Sequence, residues 1–179
     1  MSDTVNTVFF IGNGGSRRGF LLSSLRSKGI MVGCNKAFLD YPDFDFMFSI
    51  DTKATKLISK EFKGMHIFND NFKTPDIYAK TLSWKLCEMP KLRDKLDSGK
   101  VAVYLIGKYL KPDRLIMLGM DYGGEDLYTC NFSNRTNYLE DWQELLEPFK
   151  EVYRVGPPKE ELDTLNFKQI SYEELKDIL

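Results

Sequence analysis

The stretch GNGGS, residues 12–16, follows an apolar run and contains residue types that can bind phosphate. Gly12, Gly14 and Gly15 permit positive φ and a close backbone approach, so that amide groups can face an anion where a helix begins. Ser16 can cap that helix or donate a hydrogen bond to a phosphate oxygen. No Gly-Lys-Ser/Thr follows as in a Walker A loop, and the GxGxxG spacing is missing. Taken alone, the stretch fits a phosphate loop and a plain strand-to-helix corner equally well.

Asparagine or aspartate follows three further apolar runs, at Asn35, Asp51 and Asp121. The Asn35 amide can hold a ribose hydroxyl or a base edge, although asparagine is also a common turn residue. Asp51 and Asp121 can converge on a ribose, an acceptor substrate or a magnesium ion. Each can equally cap a helix or stabilise a turn. We predict these two aspartates as the catalytic candidates.

A second candidate anion site lies at Ser98 and Gly99, which open the segment SGKVAVYLIGKYL. A helix that begins there would direct backbone amides toward a phosphate. Asp97 or Ser98 acting as an ordinary cap explains the same pattern. His66 lies in the strand-like run GMHIF, and we expect it in the core or at a sheet edge rather than as a catalytic base.

These candidate residues require a scaffold of short buried strands alternating with helices. Continuous apolar runs are typical of strands buried on both faces of a parallel sheet. They predict strands at Thr7–Ile11, Ile30–Cys34, Phe46–Ile50, Met65–Phe68, Leu115–Met120 and Val152–Val155. Helices are predicted at Arg17–Ser27, Thr52–Lys60, Gly99–Leu110, Tyr138–Leu146 and Tyr172–Ile178, the last with Ser171 as its cap. The alternation predicts an α/β fold with a single doubly wound, mostly parallel sheet, Rossmann-like and GT-A-like, with helices on both faces.

Length and composition fit one domain over residues 1–179, since 42% of the residues are hydrophobic and 28% are charged. Two regions interrupt the regular pattern: an irregular helical insertion at about 69–97 and a polar, lid-like loop at about 122–137. No apolar run approaches the roughly 20 residues of a membrane span. The N-terminus lacks the features of a signal peptide, so we expect a cytoplasmic protein.

The cysteine pattern and the charge balance argue against several classes of function. Three scattered cysteines do not form a disulfide framework or a zinc knuckle, and a single histidine does not form a histidine-rich metal site. The net charge of −1 gives no general attraction to nucleic acid. A basic patch at Arg17, Arg18, Arg26 and Lys28 leaves a weaker nucleic-acid interpretation open, and such binding would fall steeply with salt.

Five segments follow one another in an order that resembles a known group of proteins: FFIGNGGS, GIMVGCNKAF, DFDFMFSIDTKA, SGKVAVYLIGKYLKPDRLIMLGMDY and EVYRVGPP. They are similar to the Rossmann-like domain shared by the bacterial sialyltransferases of glycosyltransferase family 42, the motility accessory factor proteins and the archaeal 6-hydroxymethylpterin pyrophosphokinase group. The similarity covers the chain from Val8 to Pro158.

The resemblance implies a site for the CMP part of a CMP-sugar donor. In those sialyltransferases the glycine-rich loop contacts phosphate and ribose, and an asparagine and a Ser-Gly pair contact the nucleotide. The segment that matches residues 119–122 closes the donor site. The residues that the resemblance places around the nucleotide are Gly12, Asn13, Gly14, Gly15, Ser16, Asn35, Ser98, Gly99, Gly119 and Tyr122, beside Asp121.

The chain departs from those sialyltransferases in its catalytic groups. They use a histidine base in a lid after the donor-closing segment, whereas residues 122–179 contain no histidine here. The lid is also shorter, Gly15 replaces a family proline, and Asp51 stands in an SID context closer to the accessory-factor and pyrophosphokinase branch. The general base would therefore be Asp121, Asp51, Asp126 or Tyr128.

Three functions remain open from the sequence. The first is a sialyltransferase-like glycosyltransferase that uses a nucleotide sugar and stabilises the leaving phosphate at two helix starts. The second is a pyrophosphokinase-like enzyme that uses ATP and needs Mg²⁺ to neutralise the phosphates. The third is a non-catalytic nucleotide-binding or accessory protein of phage type. All three take a nucleotide as partner, and all are compatible with an oligomer.

Overall fold

The computed structural model describes residues 6–69, 80–84, 97–128, 132–134, 139–163 and 165–179. The strands in these ranges are β1 (Thr7–Ile11), β2 (Ile30–Cys34), β3 (Phe46–Ser49), β4 (Met65–Asn69), β5 (Lys80–Trp84), β6 (Arg114–Leu118), β7 (Gly123–Glu125), β8 (Phe132–Asn134), β9 (Glu151–Val155) and β10 (Lys168–Ile170). The α-helices are α1 (Thr52–Glu61), α2 (Ser98–Leu105), α3 (Leu139–Leu146) and α4 (Tyr172–Ile178). A π-helical turn, Ile106–Leu110, extends α2.

The main sheet is parallel throughout and has the strand order β10-β9-β6-β1-β2-β3-β4-β5. From β1 the chain adds strands outward to β5 and then returns to place β6 on the other side of β1. The direction of winding therefore reverses between β1 and β6. In doubly wound sheets the ligand crevice lies at this switch point, outside the carboxyl ends of the strands.

Helices cover both faces of the sheet, as the alternation of apolar runs predicts. Val8 and Phe10 of β1 point into one core with α2 and α3, and Phe9 and Ile11 point into the other. The second core is completed by α1, α4 and short 3₁₀ turns. Continuous apolar strands are needed because each strand in this arrangement is buried on both faces. The predicted α/β, Rossmann-like fold class is confirmed.

Side-chain caps start three of the helices. Asp51 accepts a hydrogen bond from the Ala54 amide at the start of α1, and Asp97 accepts one from the Lys100 amide at the start of α2. Ser171 caps α4 in a capping box, as predicted from the sequence. No helix in the described ranges is both long and apolar enough to cross a membrane.

The predicted helix Arg17–Ser27 is wrong. That segment forms two separate 3₁₀ turns, Gly15–Arg17 and Leu22–Leu25. Gly19 lies between them at φ +82°, a left-handed conformation that an α-helix cannot contain. Leu22 and Leu25 are both buried and lie three residues apart, which is the spacing of apolar residues on one face of a helix.

The two irregular regions are partly described. Of the predicted helical insertion at 69–97, Lys80–Trp84 forms β5, a strand parallel to β4. Of the predicted lid at 122–137, β7 and β8 form a short antiparallel pair. Residues 70–79, 85–96, 129–131 and 135–138 lie outside the described residues.

The glycine-rich loop packs tightly against the loop that follows β6. A β-carbon at Gly12 would overlap the Gly119 carbonyl oxygen and lie 2.7 Å from Met120 Sδ. We expect Gly12→Ala to lower the free energy of unfolding by about 2 kcal/mol, because the buried loops must separate to admit the methyl group. Gly19→Ala is the control, since a β-carbon there meets nothing within 4 Å.

The control variant suffers only backbone strain from its positive φ, about 1 kcal/mol. Urea unfolding of both variants measures the difference. Equal losses in the two variants would contradict close packing at Gly12.

Candidate functional site

The loop after β1 and the loop after β6 are joined at the carboxyl edge of the sheet. The Gly12 amide donates to the Leu118 carbonyl and the Gly14 amide donates to the Gly119 carbonyl, both at 2.8 Å. A β-carbon at Gly14 would overlap the Asp121 carboxylate. The two glycines are therefore needed for the close approach of these loops at the switch point of the sheet.

The Asp121 carboxylate is held by Ser16. The Ser16 amide donates to Asp121 Oδ2 at 2.9 Å, and the Ser16 hydroxyl donates to Asp121 Oδ1. Arg154 Nη2 lies 3.7 Å from Oδ1, and Lys159 Nζ donates to the Asp121 main-chain carbonyl at 2.7 Å. The amide that the sequence assigns to a phosphate therefore already binds an anionic group, supplied by the chain itself.

Arg154 is fully buried near the carboxyl end of β9. Its Nε donates to the Met120 carbonyl at 3.0 Å, and its Nη1 donates to the Pro157 carbonyl at 2.8 Å. Nη1 also donates to Gln169 Oε1 at 3.1 Å. These contacts hold a positive charge directly beneath the glycine-rich loop, where it favours a neighbouring anion.

A second pair of predicted residues meets on the α2 side of the edge. The Ser98 hydroxyl donates to Asn35 Oδ1 at 2.9 Å, so the first turn of α2 is joined to the end of β2. Asn35 has φ 53°, a conformation that asparagine adopts more readily than most residues. Gly99 lies against the Met120 side chain, which also contacts Gly12. Met120 therefore connects this pair to the glycine-rich loop.

Asn13 is the predicted residue with an unsatisfied polar atom. Its Oδ1 is buried and has no hydrogen-bond partner among the described residues. The Asn13 main-chain carbonyl, by contrast, accepts from the Leu127 amide at 2.8 Å. A buried amide oxygen without a donor loses hydration energy, which a ligand hydroxyl or amine would restore.

Three other residues that the sequence predicts for the site make contacts that stabilise the fold. Asp51 is exposed, and its carboxylate caps α1 rather than reaching Asp121. The Tyr122 ring packs in the core against Trp142 and Phe167, where burial raises the pKa of its hydroxyl. Gly119 lies under the Arg17 side chain. Catalytic and binding roles for these residues stay predictions.

A polar cluster that the sequence did not single out borders a pocket on the other side of the loop. Arg17 is buried; its Nε donates to the Gly12 carbonyl at 2.7 Å and its Nη1 pairs with Asp40 at 2.7 Å. The Tyr128 hydroxyl accepts from Arg17 Nη2 and donates to Asp40 at 2.7 Å, and burial raises its pKa. Arg17 and Asp40 line a pocket of about 360 Å³ with Phe20, Leu21 and Tyr41 among its walls.

This cluster gives little signal in the sequence. In the sequence, Arg17 stands out only as part of a basic patch, and Tyr128 only as an alternative base. Asp40 follows the apolar 3₁₀ turn Ala37–Leu39 and carries no distinguishing pattern. The remaining arginines of the patch also face carboxylates: Arg18 pairs with Glu125, and Arg26 pairs with Asp43 and Asp45.

His66 is a core histidine. It is fully buried on β4, and its Nε2 lies 2.8 Å from the Ser49 hydroxyl, which lies 2.8 Å from that of Thr55. Ser59 Oγ lies 3.3 Å from Nδ1. Burial lowers the pKa of His66 to about 4.

In the part of the chain that the structure describes, no group of three or more His, Cys, Asp or Glu side chains is placed to hold a metal ion. No protein family, curated protein or solved structure matches this chain in comparisons with known proteins.

Proposed function

We propose that this protein binds a nucleotide at the carboxyl ends of β1, β2 and β6 and acts as a nucleotide-dependent transferase with a nucleotide-sugar donor. The ligand would lie over the glycine-rich loop, with the Asn35–Ser98 pair on one side and the loop after β6 on the other. This location is the switch point of the parallel sheet, where such folds bind their ligands.

The buried Oδ1 of Asn13 is the observation that carries the proposal. It lies in the glycine-rich loop, and no described residue donates to it. Ribose hydroxyls and the exocyclic amine of a base are both hydrogen-bond donors of the required kind. Phosphate oxygens only accept, and the Ser16 amide and hydroxyl of the same loop, which donate to Asp121 in this structure, are donors of the kind that phosphate needs. The loop thus offers groups suited to both parts of a nucleotide.

Catalysis in this proposal depends on Asp121. This residue follows β6, and its carboxylate lies beside Ser16 of the glycine-rich loop. A base there would accept the proton of an acceptor hydroxyl as that oxygen attacks the donor sugar. The departing phosphate would be stabilised by backbone amides and by the charge of Arg154. Asp51, at the start of α1, is the less favoured base because its carboxylate is engaged with the Ala54 amide.

The Ser16–Asp121 contact also favours a second function, a nucleotide-binding module without transfer activity. A carboxylate that accepts two hydrogen bonds from Ser16 is less available as a base. Such a module would bind nucleotide tightly and leave the donor intact.

Binding of CMP, UDP, GDP and ATP types, with their sugar derivatives and with or without Mg²⁺, tests the proposal. A ligand at 100 times its Kd should stabilise the fold by about 2.7 kcal/mol, seen as a higher Tm. Asn13→Ala should weaken the preferred ligand about tenfold, since one ligand hydrogen bond is lost. Asn6→Ala, just before the amino end of the same strand, is the matched control and should not change the affinity.

A strict Mg²⁺ requirement with ATP would favour the pyrophosphokinase-like reaction over the nucleotide-sugar reaction. Binding without donor turnover would favour the non-catalytic module. No stabilisation by any nucleotide would refute the nucleotide site.

A further inference from the structure

We propose that the space filled by the Asp121 carboxylate is a phosphate-binding cradle, and that Asp121 is a built-in competitor that a phosphoryl group must displace. The cradle consists of Ser16, Arg154, Gly14 and Gly156. The proposal rests on the proposed function, because it names the part of the nucleotide site that takes the phosphate and the group that controls entry to it.

The donors of the cradle are already bound to an anion. The amide and the hydroxyl of Ser16 both point to the Asp121 carboxylate, and Arg154 Nη2 lies 3.7 Å from the same group. An amide, a hydroxyl and a guanidinium are the groups that proteins use to bind phosphate oxygens. Asp121 therefore occupies the position that a phosphate would take.

Two glycines leave room for this anion. A β-carbon at Gly156 would lie 3.3 Å from Ser16 Oγ and 3.8 Å from Arg154 Nη2, between the two donors. A β-carbon at Gly14 would overlap the Asp121 carboxylate itself. A side chain at Gly14 would fill the space that the carboxylate uses, and one at Gly156 would crowd two of the donors. Gly14 and Gly156, which follow β1 and β9, thus border the opening between Ser16 and Arg154.

The buried charge of Arg154 requires an anion nearby. The residue is fully buried, and a buried cation is costly unless a negative charge and hydrogen bonds compensate it. Asp121 is an acidic partner beside it, with Oδ1 3.7 Å from Arg154 Nη2, and the Asp121 side chain is 12% exposed. An anion from solvent can therefore reach the cradle and replace the carboxylate without leaving Arg154 uncompensated.

Competition by Asp121 lowers the affinity for phosphate. A ligand that binds only when the carboxylate is withdrawn has its affinity reduced by the fraction of molecules in that state. Removing the carboxylate should therefore tighten phosphate binding. An Asp121 that only braces the two loops and does not occupy the phosphate position predicts no such gain. The withdrawn carboxylate would lie beside the bound phosphate, where the proposed transfer needs its base.

Inorganic phosphate is the probe, titrated by calorimetry and by the amide NMR signals of Gly14 and Ser16. We expect Asp121→Ala to bind phosphate at least tenfold more tightly than the natural protein, with Asp121→Asn between them. Asp113→Asn is the matched control, because Asp113 precedes β6 at the opposite edge of the sheet. The phosphate affinity of this variant should equal that of the natural protein. Adding Ser16→Ala to Asp121→Ala should reverse most of the gain.

Phosphate affinity that is unchanged or weaker in both Asp121 variants, with a native near-ultraviolet spectrum, would overturn the proposal. If Asp121→Ala does not fold, Asp121→Asn decides alone, because it keeps the side-chain volume and one acceptor.

CMP titrations separate this proposal from the proposed function. Tighter phosphate binding by the Asp121 variants, without binding of CMP, would support the cradle and refute the nucleotide site. Nucleotide binding to the natural protein without tighter phosphate in the variants would refute the cradle alone.

Discussion

Arg17→Met is expected to lower the free energy of unfolding by about 3 kcal/mol, an effect set by the hydrogen bonds that its guanidinium makes rather than by surface charge. Arg17 is buried and contacts three separate segments: the Gly12 carbonyl, Asp40 and the Tyr128 hydroxyl. Methionine keeps much of the apolar stem but provides no donor. The loss should appear as a lower urea midpoint with an unchanged slope.

The largest part of this loss comes from the Gly12 carbonyl, which would lose the donor that Arg17 Nε provides. Gly12 is buried, and a buried carbonyl left without a donor costs about 1–3 kcal/mol. The Asp40 side chain is 39% exposed, so water compensates part of the broken ion pair. Tyr128 keeps its hydrogen bond to Asp40.

Arg18→Met is the matched control for Arg17→Met. Its side chain is 60% exposed, and within the described ranges it pairs with Glu125 at 3.2 Å. We expect a change of less than about 0.5 kcal/mol, as for most exposed ion pairs. Similar losses in the two variants would show that Arg17 does not join the three segments.

The strands that the sequence predicts best are those whose side chains are buried on both faces. The predicted bounds of β1 and β2 agree with the structure, and β3, β4, β6 and β9 differ by one or two residues at their ends. The edge strand β10, Lys168–Ile170, was not predicted, because its sequence KQI is polar and short. An edge strand of this kind depends on pairing with β9, which no local pattern reveals.

The sequence could name the residues of the candidate site but not the contacts between them. Gly12, Asn35, Asp51 and Asp121 could be named from the sequence because each follows an apolar run that predicts a strand, and Ser98 because it opens a predicted helix. The pairing of Ser16 with Asp121 joins residues 105 positions apart, and nothing local specifies it. Arg154 did leave a signal, a charged residue inside the apolar run EVYRV, which is unusual for a buried strand.

The folded protein should lose about 3 kcal/mol of stability between pH 6.5 and pH 4 because of His66 alone. Burial lowers the pKa of His66 from 6.5 to about 4 in the native state, while the unfolded chain keeps the ordinary value. Above pH 6.5 both states are neutral, and the full stability is present. As the pH falls through this window, the unfolded chain binds a proton that the native state excludes, so unfolding becomes more favourable.

The neighbours of His66 explain why the native state excludes the proton. Its ring nitrogens face the hydroxyls of Ser49 and Ser59, which are uncharged. A neutral imidazole can donate to one hydroxyl and accept from the other. A protonated ring would place a full charge in the buried space between β3, β4 and α1, where burial disfavours the charged form.

Two measurements test this dependence, and both benefit from the presence of a single histidine in the chain. The Cε1 proton of His66 should show no titration by NMR between pH 7 and pH 5 in the native protein, and a midpoint near 6.5 would contradict the prediction. Urea unfolding at pH 7 and pH 4.5 should show a stability loss that His66→Gln reduces. That variant lacks the titrating ring, so the acidic groups that remain account for whatever loss it retains, and the difference between the two proteins isolates the histidine.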